Sequence, residues 1–277
     1  MKVIEMIDLV YKKHGLSEVD RGRTCDQIII GCDQLEVRKV AVTFMATVAV
    51  IEEAIKEGVN FIITHEPTWF TGEDKVDWLV NDPVYQRKKR LIENGNITLW
   101  RCHDVMHIGE EDTIYAGFDE KMAWKPYRLG KIKDSENPFE RAGIIYEIPT
   151  TTLEELARIL KKRFKLETIR MVGGNLAEVK RVGVLVGGSS LGLGVESLPM
   201  EFMEKHQLDL LICGEITEWT LPAYVRDAAM IGLNKAILIL GHEKSEECGM
   251  EHMASWLSQL IPQPVIFLDS GEPFVYM

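Results

Sequence analysis

With 277 residues, the chain has the length of one large α/β domain or two smaller ones, and it can bury a core without disulfides or structural metals. Hydrophobic residues make up 46% and charged residues 27%, the balance of a soluble globular protein. The 43 acidic and 32 basic residues leave a net charge of −11, which argues against nucleic acid and against an anionic membrane surface as partners.

Residues 2–15 place Val3, Ile4, Ile7, Val10 and Tyr11 at helical spacing and end at Gly15. Glu5 and Asp8 interrupt the apolar stretch, unlike a signal peptide, and no apolar run approaches the ~20 residues of a membrane span. Val37–Phe44 reads as a buried strand, Thr47–Glu57 as a helix stopped by Gly58, and Asn60–Thr64 as a second strand. This β-α-β order predicts a parallel sheet. Residues 84–94 suit a charged helix ended by Gly95, and Ile97–Arg101 a third strand. Residues 130–143 mix charge, Pro and Gly and read as a loop, followed by an edge strand at Ile144–Ile148. Thr151–Lys165 begins with a cap signal and continues as an amphipathic helix.

The second half repeats the first. Strands are expected at Arg181–Val186, Leu208–Cys213, Lys235–Leu240 and Val265–Leu268, with helices at Pro199–His206 and after Gly241. Laid over the first half, Val179–Val186 matches Val37–Phe44, and Leu208–Trp219 matches Val59–Phe70, so that Glu66 falls on Glu215 and Thr68 on Thr217. Two similar α/β lobes with mostly parallel sheets follow: residues 1–130 and 131–277, with the boundary between 130 and 150.

Ligands bind at the carboxyl ends of strands in open parallel sheets. Four polar clusters stand at such ends: His65-Glu66, His103-Asp104 with His107, Glu215, and His242 with Glu246. In Gly241-His242-x-x-x-Glu246 the imidazole and carboxylate are four residues apart and share a helical face, a half-site for a divalent transition metal. His65-Glu66 follows four apolar residues and is turned out of the strand by Pro67. Either His103 or His107 can be a ligand, with Asp104 orienting one of them. Imidazole and carboxylate donors fit zinc, iron, manganese or nickel, one or two ions per chain. The run from Gly187 to Gly194 offers backbone amides to an anion, through Gly187, Gly188 and Ser189. It also matches GxSxG with Ser190, a weaker serine-hydrolase reading. The five cysteines, Cys25, Cys32, Cys102, Cys213 and Cys248, form no CxxC pair. They are expected as buried reduced thiols in a cytoplasmic protein.

Cys25-Asp26-Gln27-Ile28 with Gly31, Val40–Val42, residues 51–70, Cys102–His107, Val182–Ser190, Leu210–Trp219 and Gly241–Met253 follow one another in this order. Together they resemble the Nif-three-like family, also called GTP cyclohydrolase 1 type 2 homologues. The resemblance implies two related α/β lobes, a dinuclear metal centre in the cleft between them, and a ring-shaped homo-oligomer, a hexamer built from dimers. It also implies the short form, without a domain inserted between the lobes. The ligands it implies are His65, Glu66, His107, His242 and Glu246. Two positions depart from the family pattern. His65-Glu66 stands where His-His is usual, and His103-Asp104-Val105-Met106-His107 stands where His-Thr-x-x-Asp is usual. His107 replaces a bridging Asp unless Asp104 substitutes, while Glu66 can itself bridge. Met45 stands where Asp is frequent, and Glu218-Trp219 where His-His is frequent. The first functional reading is a metal-dependent hydrolase acting on a small cyclic amide, purine-like or phosphoester substrate. In it Glu215 is general base or orienter, and His103 is the acid or a substitute ligand. The others are a non-enzymatic metal chaperone or regulatory adaptor, and a nucleotide-binding module built on the Gly187–Gly194 loop.

Overall fold

The structure, a computed structural model, describes residues 1–16, 24–109, 111–129, 143–174 and 178–277. Apart from Gly143, the loop expected at 130–143 lies outside the described residues. Helix α1 (Val3–Lys13) turns Val3, Met6, Ile7, Val10 and Tyr11 inward. Strands β1 (Gln27–Ile30) and β2 (Val40–Thr43) follow, then α2 (Val48–Lys56), which starts where the Thr47 hydroxyl accepts from the Val50 N–H at 3.2 Å. Strand β3 (Phe61–Thr64) leads to α3 (Pro83–Asn94), capped by Asp82 with Pro at its first position. Next come β4 (Thr98–Arg101), the short α4 (Asp104–Ile108), α5 (Thr113–Met122), β5 (Ile144–Thr151) and α6 (Leu153–Phe164). The chain continues through β6 (Arg170–Gly173), β7 (Val179–Leu185), α7 (Leu198–Lys205), β8 (Leu210–Cys213) and α8 (Leu221–Met230). It ends with β9 (Ala236–Ile239), α9 (His242–Leu260) and β10 (Val265–Phe267).

By inter-residue contacts the chain forms two compact units: Met1–Gly117 with Glu247–Gly271, and Phe118–Glu246 with Glu272–Met277. These units part near 117 and are not continuous in sequence. The C-terminal segment joins the first unit through β10, whose Val265, Ile266 and Phe267 pair in parallel with Val40, Ala41 and Val42.

In the first unit the sheet order is β1-β4-β3-β2-β10; in the second it is β5-β7-β8-β9-β6. The parallel pairs β2–β3–β4 and β7–β8–β9 carry registers Thr43↔Thr64↔Arg101 and Leu185↔Cys213↔Ile239. An antiparallel strand closes one edge of each, β1 on β4 and β6 on β9. The arrangement β1-β4-β3-β2 is thus repeated as β6-β9-β8-β7, and each unit adds a different fifth strand. Strands β2, β3, β4, β8 and β9 are buried along their whole length, as parallel strands covered on both faces must be. The first core gathers Ile51, Ala54, Ile62, Ile92 and Leu99, and the second Leu185, Phe202, Met203, Leu211 and Ile237. In this register Glu66 and Glu215 both stand two residues beyond equivalent strand ends.

Of the five thiols, Cys102, Cys213 and Cys248 are buried, whereas Cys25 is half-buried and Cys32 exposed. The expectation of five buried thiols is therefore corrected at two positions, both beside β1 at the sheet edge. Among the described residues no helix is long and apolar enough to cross a membrane.

Candidate metal centre

In the first unit two strand ends and one helix bring imidazoles together. At the end of β3 the His65 and Glu66 N–H groups both donate to the Phe44 carbonyl, at 3.0 and 2.9 Å, so the chain turns sharply before Pro67. Two buried cations hold the segment beyond. The Arg101 guanidinium donates to the carbonyls of His65 at 3.4 Å and Gly72 at 2.6 Å. The Lys88 ammonium donates to the Thr68 carbonyl at 2.8 Å and lies over the rings of Trp69 and Phe70. Burial pulls the Lys88 pKa down to about 8.

His103 and His107 come from the end of β4 and from α4. The ring centroids of His65 and His103 are 4.5 Å apart and stacked, those of His65 and His107 are 5.2 Å apart, and those of His103 and His107 are 4.9 Å apart. One ring nitrogen from each lies within 4.8 Å of the other two. Each Nδ1 already has a partner. His65 Nδ1 is 3.2 Å from the Cys102 carbonyl, His103 Nδ1 is 3.0 Å from Asp104 Oδ1, and His107 Nδ1 is 3.0 Å from Asp112 Oδ2. Acceptors at all three Nδ1 atoms keep the proton there and leave Nε2 as the ligating nitrogen. Glu66 Oε1 stands 3.8 Å from His103 Nε2, at the edge of the same cluster.

Asp104 is engaged on several sides. Besides His103 it accepts from the Thr24 hydroxyl at 2.8 Å, the Cys25 N–H at 3.1 Å and the Cys25 thiol at 3.2 Å. The His103 bond, followed by those from Cys25 and Thr24, holds the Asp104 carboxyl well below the usual carboxylate range. Burial, with the Asp104 bond, pushes the Cys25 thiol up to about 12, so it is inert as a nucleophile here.

The second unit carries a separate group. His242 opens α9; its Nδ1 is 3.3 Å from Glu215 Oε1 and its Nε2 is 3.0 Å from Glu246 Oε2. An imidazole set between two carboxylates offers nitrogen and oxygen donors to a cation. Gly187 sits directly against this pair. Its φ is +50°, and a Cβ there would overlap Glu246 Oε1 and His242 Nε2. Its N–H donates to the Ser245 hydroxyl at 2.9 Å, which in turn donates to the His242 carbonyl at 2.8 Å. The segment Gly187–Leu191 is a 3-10 turn that also holds Gly188 and Ser189. Ser190 is buried, and its hydroxyl donates to the Glu215 carbonyl at 2.5 Å. That bond makes Ser190 a structural brace, so the GxSxG reading is set aside.

Sequence reasoning overlooked Asp112 and Ser245, and it noted Asp26 in the opening motif without giving it a role at the site. Asp112 had one available signal, since Asp112-Thr113 is a cap sequence opening α5: its Oδ1 accepts from the Tyr115 N–H at 3.0 Å.

Residues 2–273 match the sequence model of the family described as Duf34/NIF3 (NGG1p interacting factor 3). The chain belongs to the Duf34/NIF3 family. A GTP cyclohydrolase 1 type 2 homolog of Chlamydia muridarum (strain MoPn / Nigg) is 24% identical over 247 residues, covering 88% of this chain and 89% of the relative. One from Clostridium perfringens (strain 13 / Type A) is 25% identical over 288 residues, covering 100% and 98%. Among solved structures, protein ybgI matches this Duf34/NIF3 chain with a TM-score of 0.76 at 20% identity, covering 99% and 100%, a likeness of fold.

Proposed function

We propose that this Duf34/NIF3 protein is a metal-dependent hydrolase whose first unit holds a divalent ion through His65, His103 and His107. The carrying observation is the convergence of three imidazoles whose Nδ1 atoms are each committed to an acceptor. A purely structural cluster of stacked neutral rings needs no such uniform anchoring. The donor set fits zinc, iron or nickel better than manganese, which prefers oxygen ligands. A bound ion would supply Lewis acidity and lower the pKa of water toward ~7.

The chain's own residues do the remaining work. Asp104 and Asp112 fix the tautomer and tilt of His103 and His107. Glu66 adds a carboxylate to the cluster, as a fourth donor or as the acceptor of a water proton at Oε1. In the second unit Glu246 and His242 form a second cation position, with Glu215 orienting His242 or accepting a proton. The substrate class proposed is a small cyclic amide, a purine-like ring or a phosphoester. The name borne by the relatives, GTP cyclohydrolase 1 type 2 homolog, supports the ring-opening member of that group.

The test is turnover by zinc- or iron-loaded protein across such a panel, beside His107→Ala and Glu66→Gln. The expected result is hydrolysis of at least one class, falling 100-fold or more in both variants. Metal-loaded protein that hydrolyses none of them would leave a metal-binding protein without this activity and contradict the hydrolase reading.

A further inference from the structure

The turn that delivers His103 and His107 is itself held by a residue that touches neither ring. Asp26 lies just before β1 and is 5% exposed. Its Oδ1 accepts from the N–H groups of His103 at 2.5 Å and Asp104 at 2.8 Å. Its Oδ2 accepts from the Val105 N–H at 2.9 Å and the Tyr11 hydroxyl at 3.1 Å. Four donors on one buried carboxylate satisfy three consecutive main-chain N–H groups where α4 begins, which the short helix cannot satisfy internally. The link is reciprocal. While Asp26 holds the backbone of 103–105, Asp104 returns bonds to Thr24 and Cys25. Two segments 77 to 80 residues apart in sequence are thus clasped in both directions.

We infer that Asp26 is a positioning residue for the metal centre, setting the place of His103 and His107 through the main chain of residues 103–105. The inference rests on the metal reading of His65, His103 and His107. A bare N-cap would affect only helix stability. Here the capped turn is only five residues long and carries two of the three imidazoles, so a shift of its first N–H groups moves the ligands themselves. In Asp26→Asn one acceptor oxygen becomes an NH2 group, which can only repel the N–H donors facing it. Outer partners of metal-binding His residues typically set affinity by about 10- to 100-fold. Tyr11→Phe removes a single donor and leaves the three main-chain bonds.

The experiment titrates Co2+ into the apo form of the full chain, reading the visible absorption bands of the complex together with the apo thermal midpoint. Asp26→Asn should weaken Co2+ binding by about 10- to 100-fold and alter the bands, and Tyr11→Phe should weaken binding by a smaller factor. The control is Asp82→Asn at the cap of α3, which accepts from the Val84 and Tyr85 N–H groups far from any His of the cluster in sequence. It should lower the apo midpoint and leave Co2+ affinity and bands unchanged. If Asp26→Asn lowers the midpoint yet binds Co2+ as the wild type does, Asp26 is only a cap and the inference is overturned. Should Asp26→Asn not fold, Tyr11→Phe decides: unchanged affinity overturns the inference and weakened affinity supports it. Wild-type protein that binds no Co2+ overturns the metal centre itself, a failure distinct from an insensitive Asp26 variant.

Discussion

Asp112 gives its two carboxylate oxygens different tasks, one capping α5 and the other holding His107. Removing the carboxylate in Asp112→Ala should cost about 1 kcal/mol of stability through the cap and lower metal affinity by ~10-fold or more through the ring. Urea unfolding of the apo protein and metal titration separate the two losses; an unchanged affinity would count against His107 as a ligand. At Gly187 the constraint is steric. In Gly187→Ala the new methyl group meets Glu246 and His242 at a backbone angle that L-residues rarely adopt. A loss of about 2 kcal/mol or more, or displacement of the His242–Glu246 pair, is expected from calorimetry and from metal binding in the second unit. Lys88 carries a pH signature. Its pKa is about 8 in the folded protein against 10.5 for the ordinary side chain, so across that window the unfolded chain binds a proton the folded chain has released. Its contribution therefore raises stability as pH climbs from about 8 to about 10, and the burial penalty is fully present below. Compared with Lys88→Met, wild-type protein should gain on the order of 1–2 kcal/mol between pH 7.5 and 9.5. Parallel stability profiles would contradict a buried, charged Lys88. The His and Glu positions were legible because they stop apolar strands abruptly. The roles of Asp26 and Asp112 were not, since a carboxylate that bonds main-chain N–H groups leaves no periodicity behind.

At the scale of elements, the strands buried along their whole length, β2, β3, β4, β8 and β9, were all found from sequence, because they read as unbroken apolar runs. The two missed, β1 and β6, are short antiparallel edges. Ile30 pairs out of step after Ile28, and Met171 on β6 is half exposed, so neither shows a clean pattern. Helices α5 and α8 were missed as well; α5 has only a weak apolar stripe, and α8, which buries Leu221, Val225 and Ala228, carries Pro222 at its start. In α2 the buried face carries Val50, Ile51 and Ala54. Val48 is exposed and Val50 buried, because the N-cap at Thr47 sets where the first turn points. A close helix crossing in the first unit was also invisible beforehand. A Cβ on Gly117 of α5 would overlap the Cys248 carbonyl of α9, and one on Gly249 would meet Ile114. Gly117→Val should therefore destabilise the chain by about 1–3 kcal/mol in urea unfolding, as overpacking does. A neutral result would mean that the two helices have room to separate.

For the whole molecule, two lobes were expected from length and from the repeated strand motifs, and the repeated β1-β4-β3-β2 and β6-β9-β8-β7 arrangements carry that repeat. The return of β10 to β2, which makes the first unit discontinuous in sequence, is a long-range pairing that local patterns cannot announce. The excess of acidic residues is in part explained by the carboxylates that hold imidazoles: Asp104, Asp112, Glu215 and Glu246. What the molecule does depends on whether those imidazoles hold metal. The most direct measurement is elemental analysis of the purified full-length protein, alongside His65→Ala, His107→Ala and His242→Ala. The account predicts at least one divalent transition metal per chain in the wild type. It predicts loss of the first-unit ion in His65→Ala and His107→Ala, and retention of that ion in His242→Ala. Wild-type protein without a divalent metal, even after incubation with zinc or iron, would contradict it, as would metal content indifferent to His65 and His107.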